Sequence, residues 1–93
     1  MSGEIQIEYT LQIWKESNQF IAHAMPLDVV SSGQTPEEAR KALAEAVHLF
    51  LETAADMGTL NDILQEAGYE LNQENWISPS WVAIERRSIA VGV

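Results

Sequence analysis

Residues 4–13 alternate between polar and apolar side chains along their whole length. The apolar positions share one parity and the polar positions the other, namely Ile5, Ile7, Tyr9, Leu11 and Ile13 against Glu4, Gln6, Glu8, Thr10 and Gln12. Because successive side chains of a strand point to opposite faces, this period of two predicts a long strand with one face on the core and one in water. Trp14 follows Ile13 and therefore falls on the polar face.

Two shorter strands are predicted after the first one. Residues 15–19 are polar and suit a hairpin connection of moderate length, and residues 20–25 form the second strand. Pro26 has no amide hydrogen, so it should end that strand or lie at a sheet edge. Residues 29–32 make a third strand, which Gly33 closes. Three antiparallel strands in a meander are the simplest arrangement.

Several helix-start signals coincide at residues 35–38. Thr35 can accept a hydrogen bond from the amide of Glu38, and Glu38 can reach back to Thr35, which forms a capping box. Pro36 occupies the first helical position, where its missing amide hydrogen costs nothing. Apolar residues at spacings of three and four then predict a helix that Gly58 ends. This apolar stripe consists of Ala39, Leu43, Ala46, Val47, Phe50, Ala54 and Met57.

A second, shorter helix is predicted from Thr59, with Asp62 at the capping-box position and Gly68 as its stop. Its apolar face comprises Leu60, Ile63, Leu64 and Ala67. Residues 70–80 are polar and contain Pro79, which indicates a loop around Trp76 and Ile77.

The composition of residues 81–91 is typical of a strand. Its alternation changes parity near Arg86 and Arg87, which a bulge or a strand used on both faces would explain. The element order is therefore β-β-β-α-α-β. We expect one α+β domain over residues 1–93, with a three-stranded antiparallel meander, one long and one short helix on one face, and a C-terminal strand.

Charge narrows the choice of partners. The chain has 14 acidic and 5 basic residues and a net charge of −9, which disfavours nucleic acid as a partner. Residues 37–74 alone contain nine acidic and two basic residues, a local net charge of −7. This acidic stretch is either a solvated helical face or a docking surface for a cationic protein.

Other properties of the sequence exclude several classes of protein. The chain has no cysteine, so it has no disulfide, zinc–thiolate site or thiol nucleophile. No apolar run approaches the roughly 20 residues of a membrane span, so we expect no membrane contact. The first residues lack a secretory signal, and the cytoplasm is the expected location.

Catalytic chemistry has few candidates. His23 and His48 are the only histidines and lie far apart in sequence, and acidic neighbours such as Glu45 and Glu52 beside His48 do not alone make a site, so no metal or other cofactor is expected. A nuclease would need a histidine base and a cation near the phosphate, and cations are scarce in this chain. We therefore expect a binding protein and not an enzyme. A hydrolase of nucleic acid that uses His23 remains as the catalytic alternative.

The segment from Phe20 to Ala39 resembles the signature of HicB-like antitoxins of type II toxin–antitoxin pairs. It contains a strand that ends in Ala-His, a Pro-containing turn with Leu-Asp, a Ser-x-Gly-x-Thr stretch and the start of a Glu-Glu-Ala helix. His23, Leu27, Asp28, Gly33 and Thr35 fit this pattern without a gap. Pro26 lies one position later than in the commonest form of the family. Many members also append a DNA-binding domain, whereas the residues after Gly68 are a loop and a strand, so operator binding is not expected.

The resemblance implies a partial RNase H-like fold without its catalytic carboxylates. It also implies a HicA-like toxin as the partner, a small basic mRNA interferase whose active site the antitoxin covers. We expect a homo-oligomer, and we place Trp14, His23 and Asp28 near the contact surface. An orphan dimeric scaffold without a toxin partner is the alternative from another functional class.

Overall fold

The computed structural model describes residues 4–92 of the chain, and the fold is α+β. Eight elements follow one another, and they form two three-stranded sheets and two helices. In chain order they are β1 (Gln6–Ile7), β2 (Thr10–Glu16), β3 (Gln19–Met25), β4 (Val29–Gly33), α1 (Pro36–Met57), α2 (Leu60–Glu66), β5 (Glu70–Asn72) and β6 (Asn75–Ile77).

The antiparallel meander β2-β3-β4 is confirmed. The alternation of residues 4–13 correctly predicts which side chains share a face, but the strand is divided at Glu8 and Tyr9 into β1 and β2. The hairpin after β2 is tighter than predicted, because Glu16 pairs with Gln19 across a two-residue turn. Ser17 starts this turn with φ 56, and the turn extends β2 by two residues beyond Trp14.

Helix α1 begins and ends as predicted. The side-chain oxygen of Thr35 accepts a hydrogen bond from the amide of Glu38 at 3.0 Å, and Pro36 is the first helical residue. The return contact of the capping box differs, since the Glu38 carboxylate accepts from the amide of Gln34 at 2.9 Å. Gly58 has φ 76, and its left-handed conformation ends the helix.

Gly33 allows the start of α1 to pass close to the sheet. A Cβ atom at this position would lie 2.6 Å from the amide nitrogen of Ala39 and 2.8 Å from the carbonyl carbon of Glu38. Helix α1 therefore packs against β3 and β4 only because Gly33 has no side chain.

One hydrophobic core joins the sheets to the helices. Ala22 and Ala24 of β3 are fully buried beneath α1, which contributes Ala39, Leu43 and Val47. From α2 onward the core contains Leu64, Tyr69 and Trp76. The predicted stripe of α1 is buried only in part, because Met57 at its far end is exposed.

Residues 70–80 are not a simple loop. Strands β5 and β6 form a hairpin there, and Trp76 is buried. Strand β6 also pairs with β1 in parallel, so a strand does follow the helices. Residues 81–91, which were predicted as a strand, belong to no helix or strand and pair with no strand among residues 4–92.

A candidate contact surface on the uncovered sheet face

The register of the meander assigns every side chain to one of two faces. Ala22 and Ala24 point toward α1. His23 between them, and the residues paired with it on the adjacent strands, therefore point away from α1. We call this second side the uncovered face. It carries Gln12, Trp14, Glu16, Ile21, His23, Met25, Val30 and Ser32.

The structure brings together the three residues that the sequence analysis placed at a contact surface. His23 Nε2 lies 2.7 Å from Asp28 Oδ1, and the rings of Trp14 and His23 meet edge to face with centroids 6.4 Å apart. Trp14 and His23 lie on adjacent strands, because Trp14 pairs with Ile21 and Gln12 with His23. Trp14 from strand β2 and Asp28 from the turn after β3 thus form a single cluster with His23.

The turn between β3 and β4 holds the Asp28 carboxylate over His23. The Met25–Pro26 peptide bond is cis, and the amide of Asp28 donates to the Ala24 carbonyl oxygen at 2.8 Å. Asp28 itself has φ 63, a left-handed conformation that aspartate tolerates better than most residues. The tight turn thus lets the Asp28 carboxylate reach the imidazole of His23, five residues earlier in the chain.

Glu16 is a fourth member of the cluster that the sequence analysis missed. Its carboxylate accepts a hydrogen bond of 3.0 Å from the indole Nε1 of Trp14. We call Trp14, Glu16, His23 and Asp28 the contact patch. The missed signal was the Ser17-Asn18 pair, since a two-residue turn keeps Glu16 within the strand and on the same face as Trp14.

The contact patch combines two carboxylates with an indole, a chemistry that suits a cationic group. Asp28 is 85% exposed in its side chain and Trp14 is 40% exposed, so both can meet another molecule. An exposed carboxylate beside an indole suits a guanidinium or ammonium group, through a charge-assisted hydrogen bond and a cation–π contact. Within residues 4–92, neither His23 nor Asp28 has a hydrogen bond or ion pair with a lysine or arginine.

Tyr69 anchors the other sheet to the start of the meander. Its hydroxyl donates to the backbone carbonyl of Glu8 at 2.6 Å, and its ring is buried. Burial, together with the nearby Glu8 carboxylate, raises the pKa of Tyr69 to about 12. The Glu8 carboxylate also accepts from the amide and the hydroxyl of Ser78, which fixes the chain after β6.

A second exposed apolar surface lies on the helices, away from the contact patch. The second half of α1 and the first half of α2 enclose an open groove of about 430 Å³. It is lined mainly by apolar side chains, including Leu49, Phe50, Met57 and Ile63. The sequence analysis assigned most of these residues to a buried stripe.

Neither a metal site nor a membrane span is found in the part of the chain that the structure describes. No three acidic or histidine side chains among residues 4–92 converge as metal ligands would. Helix α1 has sufficient length for a bilayer but carries charged side chains throughout, and α2 is too short.

Comparisons of the chain with models of protein families, with curated proteins and with solved structures found no match.

Proposed function

We propose that this protein is an antitoxin-like binding module, which neutralises a small basic HicA-type mRNA interferase by covering its active site. The observation that carries this proposal is the contact patch, an exposed cluster of an indole and two carboxylates on a sheet face that no helix covers. Its chemistry suits a lysine- or arginine-rich protein surface.

The overall charge supports the same partner. At −9 the chain attracts a cationic protein over several ångströms and repels competing RNA. A basic ribonuclease binds RNA phosphates with the same cationic surface that an acidic protein would contact. Occupation of that surface prevents hydrolysis without any reaction on this protein.

The segment that resembles HicB-like antitoxins supports the proposal in a second way. Its residues build the β3–β4 turn, the close approach at Gly33 and the cap at Thr35. The side chains of His23 and Asp28 contribute to the contact patch and make no side-chain hydrogen bond within residues 4–92 other than the one to each other. They are therefore free to serve a contact and are not required by the core.

Co-expression with a HicA-like ribonuclease from the same genome tests this function. We expect growth to be restored and a stable complex to be purified with the wild-type protein. Trp14→Ala should weaken binding by roughly tenfold or more, as is common for a central interface tryptophan. Leu49→Ala is the matched control, since Leu49 is 65% exposed but lies on α1, and it should leave neutralisation unchanged.

The proposal fails if neither a complex nor rescue is observed. It fails also if Leu49→Ala abolishes rescue while Trp14→Ala has no effect, because the contact would then lie on the helices. That second outcome would favour the alternative of an orphan scaffold, for which the apolar groove between α1 and α2 is the supporting observation.

A further inference from the structure

Residues 81–92 belong to no helix or strand of the structure and carry several exposed apolar side chains. Residues 79–92 make no backbone–backbone hydrogen bond to any part of the chain between residues 4 and 92. Four large aliphatic side chains in this segment are between 67% and 98% exposed, namely Val82, Ile84, Ile89 and Val91. Such a segment exposes both backbone donors and apolar surface, which a second β-strand would cover.

The segment leaves the body at a fixed point. The Trp81 indole donates to the hydroxyl of Thr10 at 2.9 Å, and this is the last hydrogen bond to the body within residues 4–92. Residues 82–91, which we call the arm, pair with no strand within residues 4–92.

We propose that the arm forms a β-strand with the arm of a second copy of this chain, antiparallel and centred on Arg86. The sequence is self-complementary about this residue. Positions equidistant from Arg86 combine a large side chain with a small one, as in Val82 with Ala90, Ala83 with Ile89, and Ile84 with Ser88. Large side chains thus meet small ones across the pair, which suits side-by-side packing.

Charge agrees with this register. Glu85 of each copy lies opposite Arg87 of the other, so the pair gains two cross-strand contacts of opposite charge. Within one chain, Arg87 Nη1 already lies 3.4 Å from Glu85 Oε1, so both side chains occupy the same side of the arm. The two Arg86 side chains face each other on the opposite side, where solvent screens their repulsion.

The pairing also accounts for the change of parity at Arg86. In one chain, Val82 and Ile84 lie on one side of the strand, while Ile89 and Val91 lie on the other. In the antiparallel pair, the first half of one arm is beside the second half of its partner. Each side of the two-stranded ribbon therefore carries apolar residues at both ends and charged residues at its centre.

A second copy of the arm is a better binding partner for the arm than a groove between the helices of another molecule. An extended segment in a groove between helices would leave its backbone amides unpaired, whereas strand pairing satisfies them. In a symmetric contact both copies use the same surface. This explains why the residues that complement each other all lie within the one segment 82–90.

The absence of cysteine allows a direct test in the full-length chain. In the proposed register the two Arg86 Cα atoms lie opposite each other on either side of the two-fold axis, at a separation that permits a disulfide, about 4.5–5.5 Å. Arg86→Cys should therefore form a covalent dimer under mild oxidation. Arg87→Cys is the matched control, because its partner position is Glu85, and it should cross-link much more slowly.

Charge exchange tests the same register by another measurement. By analytical ultracentrifugation, Glu85→Arg should weaken the dimer by roughly tenfold, since two attractive contacts become repulsive. The double variant Glu85→Arg with Arg87→Glu should restore the wild-type dissociation constant. A monomer at all concentrations, a failure of the double variant to recover, or equal cross-linking at positions 86 and 87 would each overturn the proposal.

Discussion

The two faces of the meander differ in the size and chemistry of their side chains. On the face toward α1, Ala22 and Ala24 are completely buried, and their small size lets the helix approach closely. The uncovered face has His23 and Met25 at the neighbouring positions and Trp14 on the adjacent strand. The covered face is adapted to packing, whereas the uncovered face keeps large and polar groups that the core does not need. Under the proposed function, strand parity separates the side chains that stabilise the fold from those that recognise the partner.

The largest expected effect on stability is in the core between α1 and the covered face of the meander. Leu43 is fully buried, so Leu43→Ala removes packed methyl groups and leaves a cavity. We expect a loss of about 4 kcal/mol in the free energy of unfolding, measured by urea denaturation. Leu49→Ala on the exposed side of the same helix should change it by less than about 0.5 kcal/mol. Similar losses for both variants would contradict the assignment of Leu43 to the core and of Leu49 to the exposed side of α1.

A second substitution tests how closely the helix approaches the sheet. In Gly33→Ala the new methyl group would meet backbone atoms of α1 at 2.6–2.8 Å, so the helix must shift. We expect about 3 kcal/mol of destabilisation, and a lower melting temperature checks it. Ser32→Ala is the control, because Ser32 is exposed and points to the uncovered face. A fully tolerated Gly33→Ala would show that the helix does not depend on this approach.

The third prediction concerns the pH dependence that Tyr69 introduces. Its pKa is about 12 in the folded protein and about 10 in an unfolded chain, so folding favours the protonated phenol. The contribution is fully present below pH 10 and is lost as pH rises from about 10 to about 12, by roughly 2–3 kcal/mol. Unfolding measured across this interval should show the loss.

Tyr69→Phe separates this effect from the titration of other groups. The variant loses the hydrogen bond to the Glu8 carbonyl, so it should be about 1 kcal/mol less stable at neutral pH. Its stability should then decline less between about pH 10 and pH 12 than that of the wild type. Equal alkaline losses in both proteins would rule out Tyr69 as the source.

The cap of α1 is expected to have a smaller effect. Thr35→Ala removes the acceptor for the Glu38 amide and should cost about 1 kcal/mol in the free energy of unfolding. Thr53→Ala, at an exposed position within the same helix, is the matched control and should be neutral or slightly stabilising. The prediction would be wrong if chemical denaturation gave the same free energy for Thr35→Ala and the wild type.

Local patterns were sufficient to predict most of the meander and α1. The alternation before Trp14 defines the two faces, and the signals at Thr35, Pro36 and Gly58 define the helix. These features depend on neighbours only a few residues apart. The polar-face position of Trp14 followed from the same parity, whereas its position beside His23 depends on the register of β2 with β3, which the sequence analysis did not predict.

Nonlocal pairing explains what the sequence did not reveal. Strands β5 and β6 have three residues each and lie in a polar segment, so their period of two is too short to recognise. Strand β6 is stabilised by parallel pairing with β1, almost seventy residues earlier. Residues 81–91 have the composition of a strand but find no partner within residues 4–92, so composition predicted a propensity and not a pairing.

Trp14→Ala should affect stability much less than it affects binding. Trp14 lies on the uncovered face and is 40% exposed, and its indole donates to the Glu16 carboxylate and meets the edge of His23. Because part of the ring is buried, we expect a loss of about 1 kcal/mol in the free energy of unfolding, well below that of Leu43→Ala. A loss as large as that of Leu43→Ala, measured by urea denaturation, would mean that the uncovered face contributes to folding as strongly as the core, and the division of roles between the two faces would be wrong.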